Sequence, residues 1–157
     1  MAINIFQEFS RGLQEEGLTR KNLAAKMHVT QAAVSNWEAR GIPDDKLIPM
    51  ALAIGNDRFL NAAIEYQTGL RVFADDLDTD DPYVVYLHEK MAQKKFEEAR
   101  ERAEPAMSKR RDHFTPTDVS KIRSYIDSGE SLVESLESLI GSLKSQIRPV
   151  EKVKAWM

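Results

Sequence analysis

Gln31, Ser35 and Asn36, with Ala32 among them, carry the most suggestive side-chain chemistry in this 157-residue sequence. A carboxamide holds a donor and an acceptor side by side, so Gln31 and Asn36 can each make a paired hydrogen-bond contact with a planar partner. They follow Thr30, whose hydroxyl can cap a helix over 31–38. Val34 and Trp37 lie one turn apart on the inner face of that helix, which leaves Gln31, Ala32, Ser35 and Asn36 on other faces, free to touch something else. Glu38 is expected to form an internal salt bridge.

The elements around these residues define how they are held. Thr19 caps a helix over 20–27 in which Leu23, Ala24 and Met27 share a face. Ala24 is small where two crossing helices must come close. His28-Val29 is the turn, with Val29 pointing inward. Gly41 and Pro43 stop the second helix. A short helix, a tight turn and a second short helix form the unit that places a helix end in the DNA major groove.

The pattern Leu18-Thr19, Leu23-Ala24, Lys26, Val29-Thr30-Gln31, Val34-Ser35, Trp37-Glu38 and Gly41 resembles the Cro and lambda-repressor family of helix-turn-helix proteins, also called the xenobiotic-response-element family. The resemblance covers roughly the first 60 to 70 residues. It implies that Gln31 and Ala32 open a recognition helix and that Ser35 and Asn36 lie one turn on. Gln31 and Asn36 would pair with adenine N6 and N7, and the Ala32 methyl suits the thymine methyl. Arg20, Arg40 and Thr30 would hold phosphates, with Lys21 and Lys26 adding charge nearby. From Thr19 to Arg40 there are four Lys/Arg and one acid, a local charge of +3 in a chain of net charge −3. The positive face is therefore local. His28 departs from the family pattern, which carries glycine there; the position calls for a left-handed backbone, which histidine tolerates better than most residues.

The other chemistries are poorly represented. Cysteine is absent, which removes disulfides and thiolate metal sites. The three histidines, His28, His88 and His113, have no metal-binding spacing. There is no nucleotide-binding glycine loop and no nucleophile-elbow motif. The expectation is a chain that is not an enzyme, with no cofactor and no metal. No apolar run approaches the ~20 residues of a membrane span.

Three further helices are expected in the N-terminal part. Phe6, Phe9 and Leu13 mark the first. Leu47, Ile48, Ala51 and Ile54 mark another within 44–54, with Pro49 arguing for a start later than Asp45. Phe59, Leu60, Ala63 and Ile64 mark one from Arg58 to about Tyr66. Leu70 to Phe73 reads as a short extended piece. The run DDLDTDD over 75–81 holds five aspartates. It fails as a calcium loop, since the sixth position is Asp80 where glycine is needed and the twelfth is Tyr86 where glutamate is needed. It reads as an acidic linker that caps the next helix.

From Pro82 to about Asp112 the chain is rich in helix formers, with a thin apolar stripe of Val85, Leu87, Met91, Ala92, Phe96, Ala99 and Ala103. Pro105 should kink or end it, and Lys109-Arg110-Arg111 reads as a solvated basic cluster. Thr115-Pro116-Thr117-Asp118 restarts a helix. Val119, Ile122, Ile126, Gly129, Val133, Leu136, Ile140, Leu143 and Ile147 then recur at alternating spacings of three and four, a heptad repeat. Tyr125, Leu132 and Leu139 add a third apolar column beside this seam. In a bare two-stranded coil, β-branched residues alternating with leucine favour a parallel dimer. The wider stripe suits antiparallel packing on the preceding helix or a bundle of several chains. Oligomerisation through Ile126, Val133, Leu136, Ile140, Leu143 and Ile147 is expected, because the thin preceding stripe cannot cover so wide a face.

Together these readings predict an all-α protein: a five-helix lambda-repressor-like domain (1–70), an acidic linker (71–82), a helical oligomerisation region (83–148) forming a hairpin, coiled coil or bundle, and a tail (149–157). The resemblance implies a sequence-specific double-stranded DNA-binding transcriptional regulator, a phage or bacterial repressor acting as a homo-oligomer on a two-fold related operator. Its location would be the cytoplasm of a prokaryotic or phage-infected cell. A lysogeny-type activator, or a protein-binding helix-turn-helix module such as an antitoxin or anti-repressor, is the alternative.

Overall fold

The computed structural model describes residues 3–69 and 81–155, the side chain of Ala155 excepted. Among these residues it is all-helical, with seven α-helices and one short 3-10 turn. The chain divides into two compact units, Met1–Thr79 and Asp80–Met157. The expected extended piece at Leu70–Phe73 and nearly all of the acidic linker lie outside the described residues.

The first unit contains α1 (Ile5–Glu15), α2 (Arg20–Lys26), α3 (Gln31–Arg40), α4 (Asp44–Ile54) and α5 (Asp57–Thr68). Its core is built from fully buried Phe9, Leu23, Val34, Leu47, Met50, Phe59, Leu60 and Ile64. Helices α1 and α5 come together at Phe9 and Phe59, whose rings meet edge-on at 6.1 Å. Gly12 allows this approach, since a Cβ there would stand 3.2 Å from the Phe59 Cβ. Asn56 caps α5 by accepting from the Phe59 N–H and donates its amide to Glu15 and Glu16 at the end of α1. One buried side chain thus satisfies a helix start and ties it to a helix end.

Two expectations need correction here. Phe6 stays 39% exposed, and Ile5 takes the buried place beside Phe9 and Leu13. Helix α4 begins at Asp44 and runs through Pro49 without a later start. Pro49 and Asp45 are both exposed, so the carbonyl that the proline cannot bond faces solvent near the first turn, where the cost is low.

The second unit is a helical hairpin of α6 (Pro82–Met107) and α7 (Pro116–Ala155). Asp81 caps α6, and Pro82 suits its first position. Pro105 falls inside α6, which ends two residues later. Val84, Leu87, Met91, Ala99, Ala103 and Ala106 are buried, whereas Val85 is only half-buried. At the turn, Thr115 and Asp118 form a capping box: the Thr115 N–H donates to Asp118 and the Asp118 N–H donates to the Thr115 hydroxyl. Lys109 reaches both oxygens of Asp118 at 3.0 and 2.9 Å, so one of the three expected solvated cations closes the hairpin turn. From the middle of α6, Phe96 stacks on Tyr125 of α7 with ring centres 5.0 Å apart, and Gly129 leaves room for the Phe96 ring.

These contacts set an antiparallel register in which α6 begins opposite about residue 141 of α7. The remaining stretch of α7, roughly 20 Å at 1.5 Å per residue, runs past the end of α6. That stretch includes Pro149 and the residues expected to form a tail; they continue the helix to Ala155.

Candidate nucleic-acid interface

The turn between α2 and α3 is a Schellman motif. The Val29 N–H bonds the Ala24 carbonyl at 3.0 Å and the His28 N–H bonds that of Ala25 at 3.2 Å. His28 has φ 55°, the left-handed value that glycine usually supplies. The end of α1 repeats the motif with Gly17 at φ 63° and the Leu18 N–H on the Leu13 carbonyl. Histidine therefore occupies a position that the neighbouring turn gives to glycine.

Both helix starts are capped as expected. Thr19 and Asn22 form a capping box on α2, and the Thr30 hydroxyl accepts from the Ala33 N–H on α3 at 3.2 Å. The N–H groups of Gln31 and Ala32 have no intrahelical partner and sit at the positive end of the helix dipole. Leu23 and Val34 are fully buried at the α2–α3 contact, while Met27 and Trp37, which share their inner faces, are half-buried. Anchoring on Val34 turns the opposite side of α3 outward.

Gln31, Ala32, Ser35 and Asn36 are all exposed. The side chains of Gln31, Ser35 and Asn36 make no hydrogen bond with other described residues. They form one polar surface over the first turns of α3, with Thr30 at its start and exposed Arg40 at the far end of the helix. Lys21 is exposed on α2.

Arg20, assigned to a phosphate, is held by an ion pair within the first unit. Its guanidinium grips Glu38 with Nε on Oε1 and Nη2 on Oε2, the latter at 2.9 Å. The carboxylate raises the Arg20 pKa above its already high ordinary value through this hydrogen bond. Glu38 thus has the internal salt bridge expected of it, and its partner is a residue assigned to phosphate. The signal was present as opposite charges at the start of one short helix and the end of the next, since a tight turn folds those ends back together.

Among the described residues no cluster of His, Asp or Glu could hold a metal, and no helix is long and apolar enough to cross a membrane. Comparison with protein-family models, with curated proteins and with solved structures found no match.

Proposed function

We propose that this chain is a sequence-specific double-stranded DNA-binding protein that regulates transcription as a dimer or higher oligomer, acting as a repressor of phage or bacterial type. The observation that carries the reading is the outward polar face of α3. Gln31, Ala32, Ser35 and Asn36 are exposed at the start of a helix packed on α2 through Val34, and none of the three polar side chains is hydrogen-bonded to another described residue. A helix start with free N–H groups, a hydroxyl cap and flanking cations suits a phosphate backbone, and two exposed carboxamides five positions apart on one helix suit adenine edges.

A single unit of this size makes few base contacts, and pairing two of them multiplies affinity and fixes half-site spacing. The exposed apolar side of α7 provides the pairing surface in this reading. Its six expected residues, Ile126, Val133, Leu136, Ile140, Leu143 and Ile147, are between 39% and 55% exposed in the single chain.

Selection of bound sequences from a random double-stranded DNA pool at near-physiological salt tests the proposal. Enrichment of an inverted repeat is expected. Absence of any enriched sequence, with the protein folded, would overturn it and favour the protein-binding alternative.

A further inference from the structure

A row of charges runs beside the exposed apolar seam of α7. With Ile126, Val133, Ile140 and Ile147 as heptad a positions and Leu136 and Leu143 as d positions, the e positions are Arg123, Glu130, Glu137, Lys144 and Glu151. All five are exposed, and none forms an ion pair with another described residue. The g positions on the opposite flank include Tyr125, Leu132 and Leu139, which are half-buried, Tyr125 against Phe96 of α6.

We propose that α7 pairs antiparallel with α7 of a second copy, in a register that sets Arg123 against Glu151 of the partner subunit and Glu130 against Lys144 of the partner subunit. This rests on the exposed seam being the pairing surface and adds its occupant and direction.

The charge row contains its own complement. Its signs read plus, minus, minus, plus, minus along the helix, and antiparallel pairing brings e positions to e positions. Four of the five facing pairs are then opposite in sign, and only Glu137 meets its own copy. Parallel pairing brings e to g instead, where Tyr125, Leu132 and Leu139 offer no charge and are half-buried; the whole row would go unused. The same antiparallel register keeps the apolar layers in step. Val133 meets Leu143 of the partner subunit, and Leu136 meets Ile140 of the partner subunit. The preference of alternating β-branched and leucine positions for parallel pairing belongs to bare helices with both flanks open, which α6 prevents here.

The surface is large enough for a stable pair. The exposed Val, Leu and Ile residues along α7 present on the order of 700 Å² per chain, above what monomers usually leave uncovered and near the ~800 Å² per partner of a standard interface.

Cysteine cross-linking of the full chain tests the direction, and the absence of native cysteine leaves no background. Val133→Cys and Leu143→Cys proteins are oxidised separately and mixed, with light scattering for mass. Linkage in the mixture and in neither protein alone is expected. Self-linkage of each protein alone means parallel pairing and overturns the proposal while leaving the DNA reading intact. Dimeric mass with no linkage means another surface pairs, and monomeric mass means none does; either overturns it, and the DNA selection then judges the DNA reading separately. As a second measure, Glu130→Lys should weaken self-association about tenfold, and adding Lys144→Glu should restore it; failure of the double variant to recover also overturns the register.

Discussion

Arg20 and Glu38 lock the start of α2 to the end of α3 through two parallel hydrogen bonds between a guanidinium and a carboxylate. The pair spans the turn that orients the exposed polar face, so it acts on the direction of α3. Both groups are partly exposed, which limits its contribution to stability to at most about 1 kcal/mol. In a double-mutant cycle with Arg20→Met and Glu38→Gln, a coupling of up to this size is expected. If the pair is the arginine's main role, Arg20→Met leaves the salt dependence of DNA binding unchanged. A slope smaller by about one unit would instead give Arg20 a phosphate contact.

The left-handed His28 is a site for stabilisation. Glycine there removes the steric cost of a side chain at positive φ, offset in part by its greater freedom in the unfolded chain. His28→Gly should raise stability in denaturant by about 0.5–1 kcal/mol, whereas β-branched His28→Val should lower it by at least about 1 kcal/mol. Equal stability for the two variants would contradict the turn geometry.

Gln31 and Asn36 test readout apart from folding. Because both are exposed, Gln31→Ala and Asn36→Ala should leave thermal unfolding nearly unchanged. Each should cost about 1–3 kcal/mol on the selected site and relax the base preference at one position. Equal losses on random DNA would point to general backbone contacts.

Two leucines of α7 should separate packing from pairing. Leu136 lies on the exposed seam, and Leu132 is half-buried on the same side as Tyr125. Leu136→Asp should keep the helical content and reduce the solution mass to that of one chain. Leu132→Asp should loosen the hairpin itself and lower its unfolding temperature. Sedimentation and circular dichroism on the two variants would expose a reversed or shared pattern.

Asp118 makes the hairpin turn sensitive to acid. The Thr115 N–H, and after it the Lys109 ammonium, lower its pKa from 3.8 to about 2. A carboxyl with a folded-state pKa below its unfolded value binds fewer protons in the folded state at intermediate pH. Its contribution is therefore complete above about pH 4 and is lost as pH falls through about 2. Asp118→Asn should flatten the stability profile in that window, measured by denaturant unfolding at successive pH values. An unchanged slope would mean that other carboxylates dominate it.

Much of this was written in local sequence. The caps at Thr19, Thr30 and Thr115, the stop at Gly41, and the left-handed demand on His28 depend on backbone groups within a few residues. Side-chain type and spacing determine them before any tertiary contact forms. The heptad repeat is equally local, since side chains three and four apart must share a helix face. What periodicity lacks is the identity of the neighbour. The sequence showed three apolar columns on α7, and only packing decided that Tyr125 faces Phe96 while Ile126, Val133 and Ile140 remain open to solvent. It showed Arg20 and Glu38 as opposite charges eighteen positions apart, and only the crossing of α2 and α3 joined them. In sequence Pro49 argues for a later helix start and Pro149 falls in the expected tail, and both lie inside helices. Asp45 and Pro49 lie exposed on α4, and so do Ser145 and Pro149 on α7; solvent can therefore reach the carbonyl that each proline leaves unbonded, which propensity alone does not register.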